Sequence, residues 1–310
     1  MQFYKKRDFG ELISSTFDFV KIYGLNYFKN YILLNGMILI LLLVVIFIGY
    51  GEFIQQFFGS NLSNETYLFE DYFLHNQEIL IIVAIISAFL FLLFSLVTYS
   101  YPILYMKRVA ENGTLKVTAE EMISDLKGII GKFFIFLLGL IFIFLPIAMI
   151  LFAISGFLMI VLIGFALILF IVPIFMNLLN LSFFHYYHTD AGYFNSINFA
   201  IKAVLSKGFW KYLGSVATIY LIIQIITSIF TFIPFIFFGA SEFISLESNP
   251  GENMIWAIFL IATYSISILA SIILSNLIYI NAGFIYYDAR TDLHRNIQLA
   301  EIDSLGKSEI

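Results

Sequence analysis

The stretch from Lys132 to His188 reads KFFIFLLGLIFIFLPIAMILFAISGFLMIVLIGFALILFIVPIFMNLLNLSFFHYYH, and between its terminal residues there is no Asp, Glu, Lys or Arg. A run this long has room for two membrane-spanning helices, since one needs about 20 apolar residues. A short break near Ser155-Gly156 divides it, so the spans are read as 133–154 and 156–187, joined by a short outer turn. Working outward, four more charge-free apolar stretches appear, at 31–51, 79–106, 212–238 and 254–287. These are continuous runs of Leu, Ile and Phe, not alternating ten-residue strands. Backbone groups in hydrocarbon must be satisfied internally, which leaves helices or a closed barrel, and the continuous pattern selects helices. The expected fold class is an all-α integral membrane protein with six transmembrane helices.

The basic residues orient it. Segments 1–30, 107–132, 188–211 and 288–310 hold 5, 5, 3 and 3 of the 16 Lys and Arg, and the alternate segments hold none. The positive-inside rule therefore places both termini in the cytoplasm, which in a bacterium means the cytoplasmic (inner) membrane. Eight of the 21 acids fall in the outer segments, so the net charge of −5 is an outer-face property. No basic stripe survives among the inner acids, which argues against a nucleic-acid partner. There is no cysteine, which excludes disulfides, thiolate metal sites and cysteine nucleophiles. The chain is 61% hydrophobic and 12% charged, and its mean hydropathy is +0.95. Membrane lipids are thus the first expected partner, with other membrane proteins or a second copy also compatible.

Three inner segments carry apolar periodicity and then lead through a basic residue into a span. Phe9, Leu12, Ile13, Thr16, Phe17, Val20, Tyr27 and Phe28 form the first stripe. Met122, Ile123, Leu126, Ile129 and Ile130 form the second, behind a capping box of Thr118 and Glu121. Phe194, Ile197, Ile201, Val204 and Leu205 form the third. These predict three cytoplasmic interfacial amphipathic helices. Together with the aromatic exits of the even-numbered spans they suggest a threefold parallel two-span repeat, at about 8–108, 117–188 and 190–290. The reading is a single transmembrane domain, 1–303, with a flexible tail at 304–310. A short surface helix is expected in the outer loop 52–78, and a turn at Asn249-Pro250-Gly251 in the loop 239–253.

Candidate chemistry is sparse. Asn35, Asn177, Asn180, Gln224, Asn276 and Asn281 are amides inside spans, and each reads either as interhelical glue or as the lining of a pathway. His185 and His188 share a helix face at i and i+3 and could meet one metal ion if a third ligand such as His294 joined them; otherwise they are interfacial histidines. Tyr99, Tyr101, Tyr105, Tyr186, Tyr187, Tyr279, Tyr286 and Tyr287 read as an interface belt or as contacts to a headgroup or small ligand. No P-loop, GxGxxG, GxSxG or paired-carboxylate pattern is present, no catalytic residue is assigned, and no cofactor is implied. No ionisable group lies at midplane to carry a proton or couple an ion.

The opening RDFGELISSTFDFVKIYGLNYFKNY (7–31) and the close FIYYDARTDLHRN (284–296) resemble the entry helix and the exit of bacterial multi-pass proteins related to the membrane domain of glycerophosphoryl diester phosphodiesterases. The resemblance extends along nearly the full chain as a pattern. It implies an inner-membrane module of accessory role. Some relatives carry a soluble phosphodiesterase domain, which this chain lacks, so that activity is not transferred. Two functions follow as expectations: a non-enzymatic scaffold or accessory subunit with lipid-facing helices, or a transporter or lipid-handling permease. A membrane-embedded enzyme using His185 and His188 is the third.

Overall fold

The computed structural model describes residues 1–59, 75–114, 116–244, 263 and 265–307. Among these all regular structure is helical. The elements are α1 (Phe9–Gly59), α2 (Gln77–Asn112), α3 (Ala119–Gly139), a π-turn (Leu140–Phe144), α4 (Leu145–Leu158), a 3₁₀ turn (Met159–Val161), α5 (Ile163–His188), α6 (Tyr193–Val204), α7 (Phe209–Ile244) and α8 (Asn276–Lys307). Residues 265–274 are also helical and reach α8 through a turn at Ser275. Among the described residues, six helices are long and apolar enough to cross a bilayer. The chain therefore has the helices of a multi-pass membrane protein.

The structure moves several boundaries. The turn expected at Ser155-Gly156 lies instead at Met159–Leu162. Ser155 satisfies its hydroxyl on the Leu151 carbonyl, 2.8 Å away within the same helix, and Gly156 simply continues that helix. The reversal is made by Leu162, at φ 63°, whose N–H donates to the Met159 carbonyl. Gly164 makes this tight turn possible, because a Cβ there would sit 2.0 Å from the Ser155 carbonyl oxygen. The π-turn precedes Pro146, which supplies no N–H and whose ring crowds the carbonyl four residues back. The last helix runs to Lys307, into the expected flexible tail. The expected helix of the 52–78 loop falls largely on 60–74, outside the described residues; so do Asn249-Pro250-Gly251 and the start of the sixth span.

The expected entry helices do not all stand apart from their spans. The first is continuous with its span in α1. The second begins at the predicted capping box, with Glu121 N–H donating to Thr118 Oγ1 at 3.2 Å and Thr118 N–H to Glu121 Oε2 at 2.8 Å, and runs on through the π-turn into α4. Only α6 is separate. Buried faces also differ from the apolar stripes. In the entry part of α1, residues 9–28, the buried side chains are Leu12, Thr16, Phe19, Tyr23 and Tyr27, while Phe9 is exposed. In α6 they are Ser196, Ala200, Ala203 and Val204, which leaves Phe194, Ile201 and Leu205 outward.

Contacts sort the chain into two units, Met1–Lys29, Tyr99–Ile223 and Leu274–Ile310 in one, and Asn30–Thr98 and Gln224–Ile273 in the other. In the first unit, Ile219 and Ile223 of α7 pack with Leu277 and Ile278 of α8, and Ile13, Phe17 and Val20 of α1 close over them. Gly283 lets α8 approach closely: a Cβ there would meet Met106 Sδ at 2.4 Å and the Phe184 ring at 2.9 Å. In the same unit Arg108, near the end of α2, holds the start of α3 through Asp125 and Glu121.

Candidate functional site

The amides named from sequence meet different fates. Asn281 is fully buried and joins three helices of the first unit. Its Nδ2 donates to the Leu12 carbonyl (3.3 Å), Thr16 Oγ1 (3.1 Å) and Ser215 Oγ (2.8 Å), and the Ser215 hydroxyl can return a bond to Asn281 Oδ1. Asn276 Oδ1 accepts from the Tyr27 hydroxyl at 2.6 Å. Asn177 Nδ2 donates to the Tyr212 carbonyl at 3.3 Å, one helical turn from Ser215 on α7. Its Oδ1 meets no donor among the described residues. In the second unit Asn35 Nδ2 donates to Thr98 Oγ1 at 3.3 Å. Asn180 is half-buried and Gln224 is exposed. Asn177 and Asn281 thus attach to neighbouring turns of α7.

A second polar cluster is not among the sites read from sequence. Asp288, near the end of the predicted sixth span, has no exposed surface. Its carboxylate accepts from the Arg7 backbone N–H (2.6 Å), Lys211 Nζ (2.8 Å) and the Tyr212 hydroxyl. Lys211 Nζ also donates to the Arg7 carbonyl at 2.7 Å. Arg7 is 4% exposed, and its guanidinium is enclosed by the N-terminal segment itself. It donates to the carbonyls of Gln2, Phe3 and Lys5 and to Ser15 Oγ, and lies 4.8 Å from the centre of the Phe284 ring. Burial lowers its pKa from the usual value while Asp288 and Glu11 oppose that shift. Four hydrogen-bond acceptors and a ring face compensate the buried cation. The only sequence hints were Tyr-Tyr-Asp at a span exit and Lys211 at a span entry.

The histidines lie beside this cluster in an aromatic setting. The His185 ring stacks on Phe199 at 4.2 Å. His188 lies 5.3 Å from the Tyr286 ring and 5.6 Å from Tyr287, with Nε2 3.5 Å from the Tyr4 hydroxyl and 3.8 Å from Glu111 Oε1. Burial raises the Tyr4 hydroxyl pKa. Arg290 Nη1 donates to the Tyr286 hydroxyl at 2.6 Å. Nδ1 of both histidines meets no partner among the described residues. Nor is there among those residues a group of three or more His, Asp or Glu able to hold a metal ion, and the third ligand considered, His294, lies outside the residues whose side chains are described.

The tyrosines expected as a boundary belt are mostly interior. Tyr101, Tyr105, Tyr286 and Tyr287 are fully buried, Tyr186 and Tyr187 nearly so, Tyr279 is half-buried and Tyr99 is exposed. Their hydroxyls reach across helices: Tyr101 donates to the Tyr27 carbonyl (2.7 Å) and Tyr105 to Asn26 Oδ1 (2.8 Å). Asn26 Oδ1 also accepts from the Val117 N–H, which ties the α2–α3 connection to α1.

This arrangement uses its polar groups against one another. The three donors on Asp288 all come from the protein itself. No match to the chain was found among protein-family models, curated proteins or solved structures.

Proposed function

We propose that this chain is a non-enzymatic scaffold or accessory subunit of the bacterial inner membrane, related to the membrane modules of glycerophosphoryl diester phosphodiesterases. The observation that carries the reading is the use of span polar groups as interhelical bonds, with Asn281 bonded to α1 and α7 at once. A pathway needs polar groups turned toward a permeant. Amides spent on neighbouring helices act as glue. The outward Phe194, Ile201 and Leu205 of α6, with exposed Trp210 just beyond, support a helix that lies on lipid at headgroup level. The threefold repeat belongs to the same proposal, and its support is the recurring order of entry helix, basic residue and span.

Purified protein in vesicles carrying a trace of headgroup-labelled fluorescent phospholipid distinguishes scaffold from lipid-handling permease. Dithionite added outside should bleach the outer-leaflet label and stop at the level of protein-free vesicles. Continued bleaching in sealed vesicles would show lipid crossing and transfer the assignment to the permease reading.

Cytoplasmic termini are the second part of the proposal, supported by the placement of all 16 basic residues. The cysteine-free chain makes the check simple. Single cysteines at Ser63 and Ser248 should react with an impermeant maleimide on intact cells, and those at Ser124 and Ser308 only after lysis. The reverse pattern would invert the topology.

A further inference from the structure

The α4–α5 hairpin ends in a tip with no polar side chain. Phe157, Ile160 and Leu162 are 75%, 81% and 74% exposed, and Val161 and Ile163 are more than half exposed. Behind the tip the same holds around the helices: Phe142, Met149, Ile150, Phe152 and Leu169 all face outward. Ser155, the one hydroxyl in the region, is fully buried and bonded within its own helix. The hairpin therefore has no water-seeking face and no apolar stripe set against a polar one. A docking surface for a soluble partner would have a polar rim; here there is none.

Length makes this informative. The arms 133–158 and Ile163–His188 are 26 residues each. At about 1.5 Å per residue each is roughly 39 Å long. Their base is polar: Lys132 Nζ donates to the Thr189 carbonyl at 3.2 Å and lies 3.9 Å from Asp190. Hydrocarbon is only about 30 Å thick. An upright hairpin with its base at one boundary would drive Phe157, Ile160 and Leu162 through the opposite headgroups. A tilt of about 40°, the upper end of the usual range, shortens the projection of each arm to about 30 Å and removes that exposure.

We propose that the tip Phe157–Ile163 does not emerge, and lies instead among the acyl chains of the leaflet opposite Lys132 and Thr189, so that the hairpin leans and anchors in that leaflet. This surface takes lipid chains, not a protein. The proposal rests on the chain residing in a bilayer and is independent of whether that chain is scaffold or permease.

The test places one tryptophan at the tip. Trp210→Phe and Trp256→Phe remove the native indoles, and Ile160→Trp adds one at a position open enough to accept it. The full chain is reconstituted in phosphatidylcholine vesicles with or without bromine on the acyl chains. The expected result is loss of most tip emission in brominated lipid and little quenching by iodide. Strong iodide quenching with no bromine effect would put the tip in water and overturn the proposal. Protection from both quenchers would mean that protein covers the tip, a second copy being the simplest, and would overturn it equally. A Leu162→Cys variant gives an independent readout: impermeant maleimide should leave it unlabelled on either side of intact vesicles, and labelling from one side would refute the immersed position.

Discussion

Replacing Asp288 with Ala is expected to cost about 3–5 kcal/mol of stability, the usual result of removing one partner of a buried ion pair. The carboxylate has no exposed surface, and Lys211 keeps only about a quarter of its side chain exposed. Without Asp288, the ammonium retains the Arg7 carbonyl, but the Arg7 N–H and Tyr212 hydroxyl lose their shared acceptor. The N-terminal segment should then detach, because Phe3 and Arg7 are held over Phe284 by this anchor. Two measurements check it. The midpoint of SDS-induced unfolding in mixed micelles should fall sharply, and trypsin should cut at Lys5, Lys6 and Arg7 faster than in the parent. The double change Asp288→Asn with Lys211→Met should recover much of the loss, since removing both charges leaves neither stranded. An unchanged midpoint and unchanged trypsin sensitivity in Asp288→Ala would show that the cluster does not hold the segment.

How much of this was legible in the sequence depends on which physics each residue obeys. The spans were legible because charges are excluded from hydrocarbon, and the gaps between charges are visible by eye. The Thr118–Glu121 cap was legible because its bonds are local. The reversal between α4 and α5 was not. Ser-Gly marks turns where water competes for the backbone, whereas in lipid the serine bonds its own helix and a left-handed leucine makes the turn. In α1 the stripe caught Leu12, Thr16 and Tyr27 but passed over Phe19 and Tyr23, which are buried as well. Asp288 was the largest omission. It was counted with the solvated end charges, and its partners lie 281 and 77 residues away in the chain. The amides show both outcomes. Asn281 has small hydroxyl residues from two helices within reach, while Gln224 lies on an exposed face. The tyrosines mislead for a related reason: an amphipathic ring suits a membrane boundary, and it suits equally a core where another helix offers an acceptor.

That last point supplies the second large effect, at Tyr27. The side chain is fully buried at the meeting of α1, α2 and α8. Its ring lies 5.8 Å from Phe19, 5.0 Å from Tyr101 and 4.9 Å from Tyr105, all edge-on, and its hydroxyl bonds Asn276. Two substitutions separate packing from the hydrogen bond. Tyr27→Phe keeps the ring and removes the hydroxyl, and should cost about 1 kcal/mol, near the range measured for interhelical bonds in membranes. Tyr27→Ala also opens a cavity among three rings, and should cost about 3–5 kcal/mol, as large aromatic truncations do in close-packed cores. The same SDS titration reads both. A cycle with Asn276→Ala should show a coupling of about 1 kcal/mol for Tyr27→Phe, because each single change removes the same bond. If Tyr27→Ala proved no worse than Tyr27→Phe, the ring would not be part of a packed core, and the aromatic layer would have to be read as a loose lining. A lining of that kind would reopen the permease reading, because rings that can separate at no cost leave room for a lipid headgroup or solute between α1, α2 and α8.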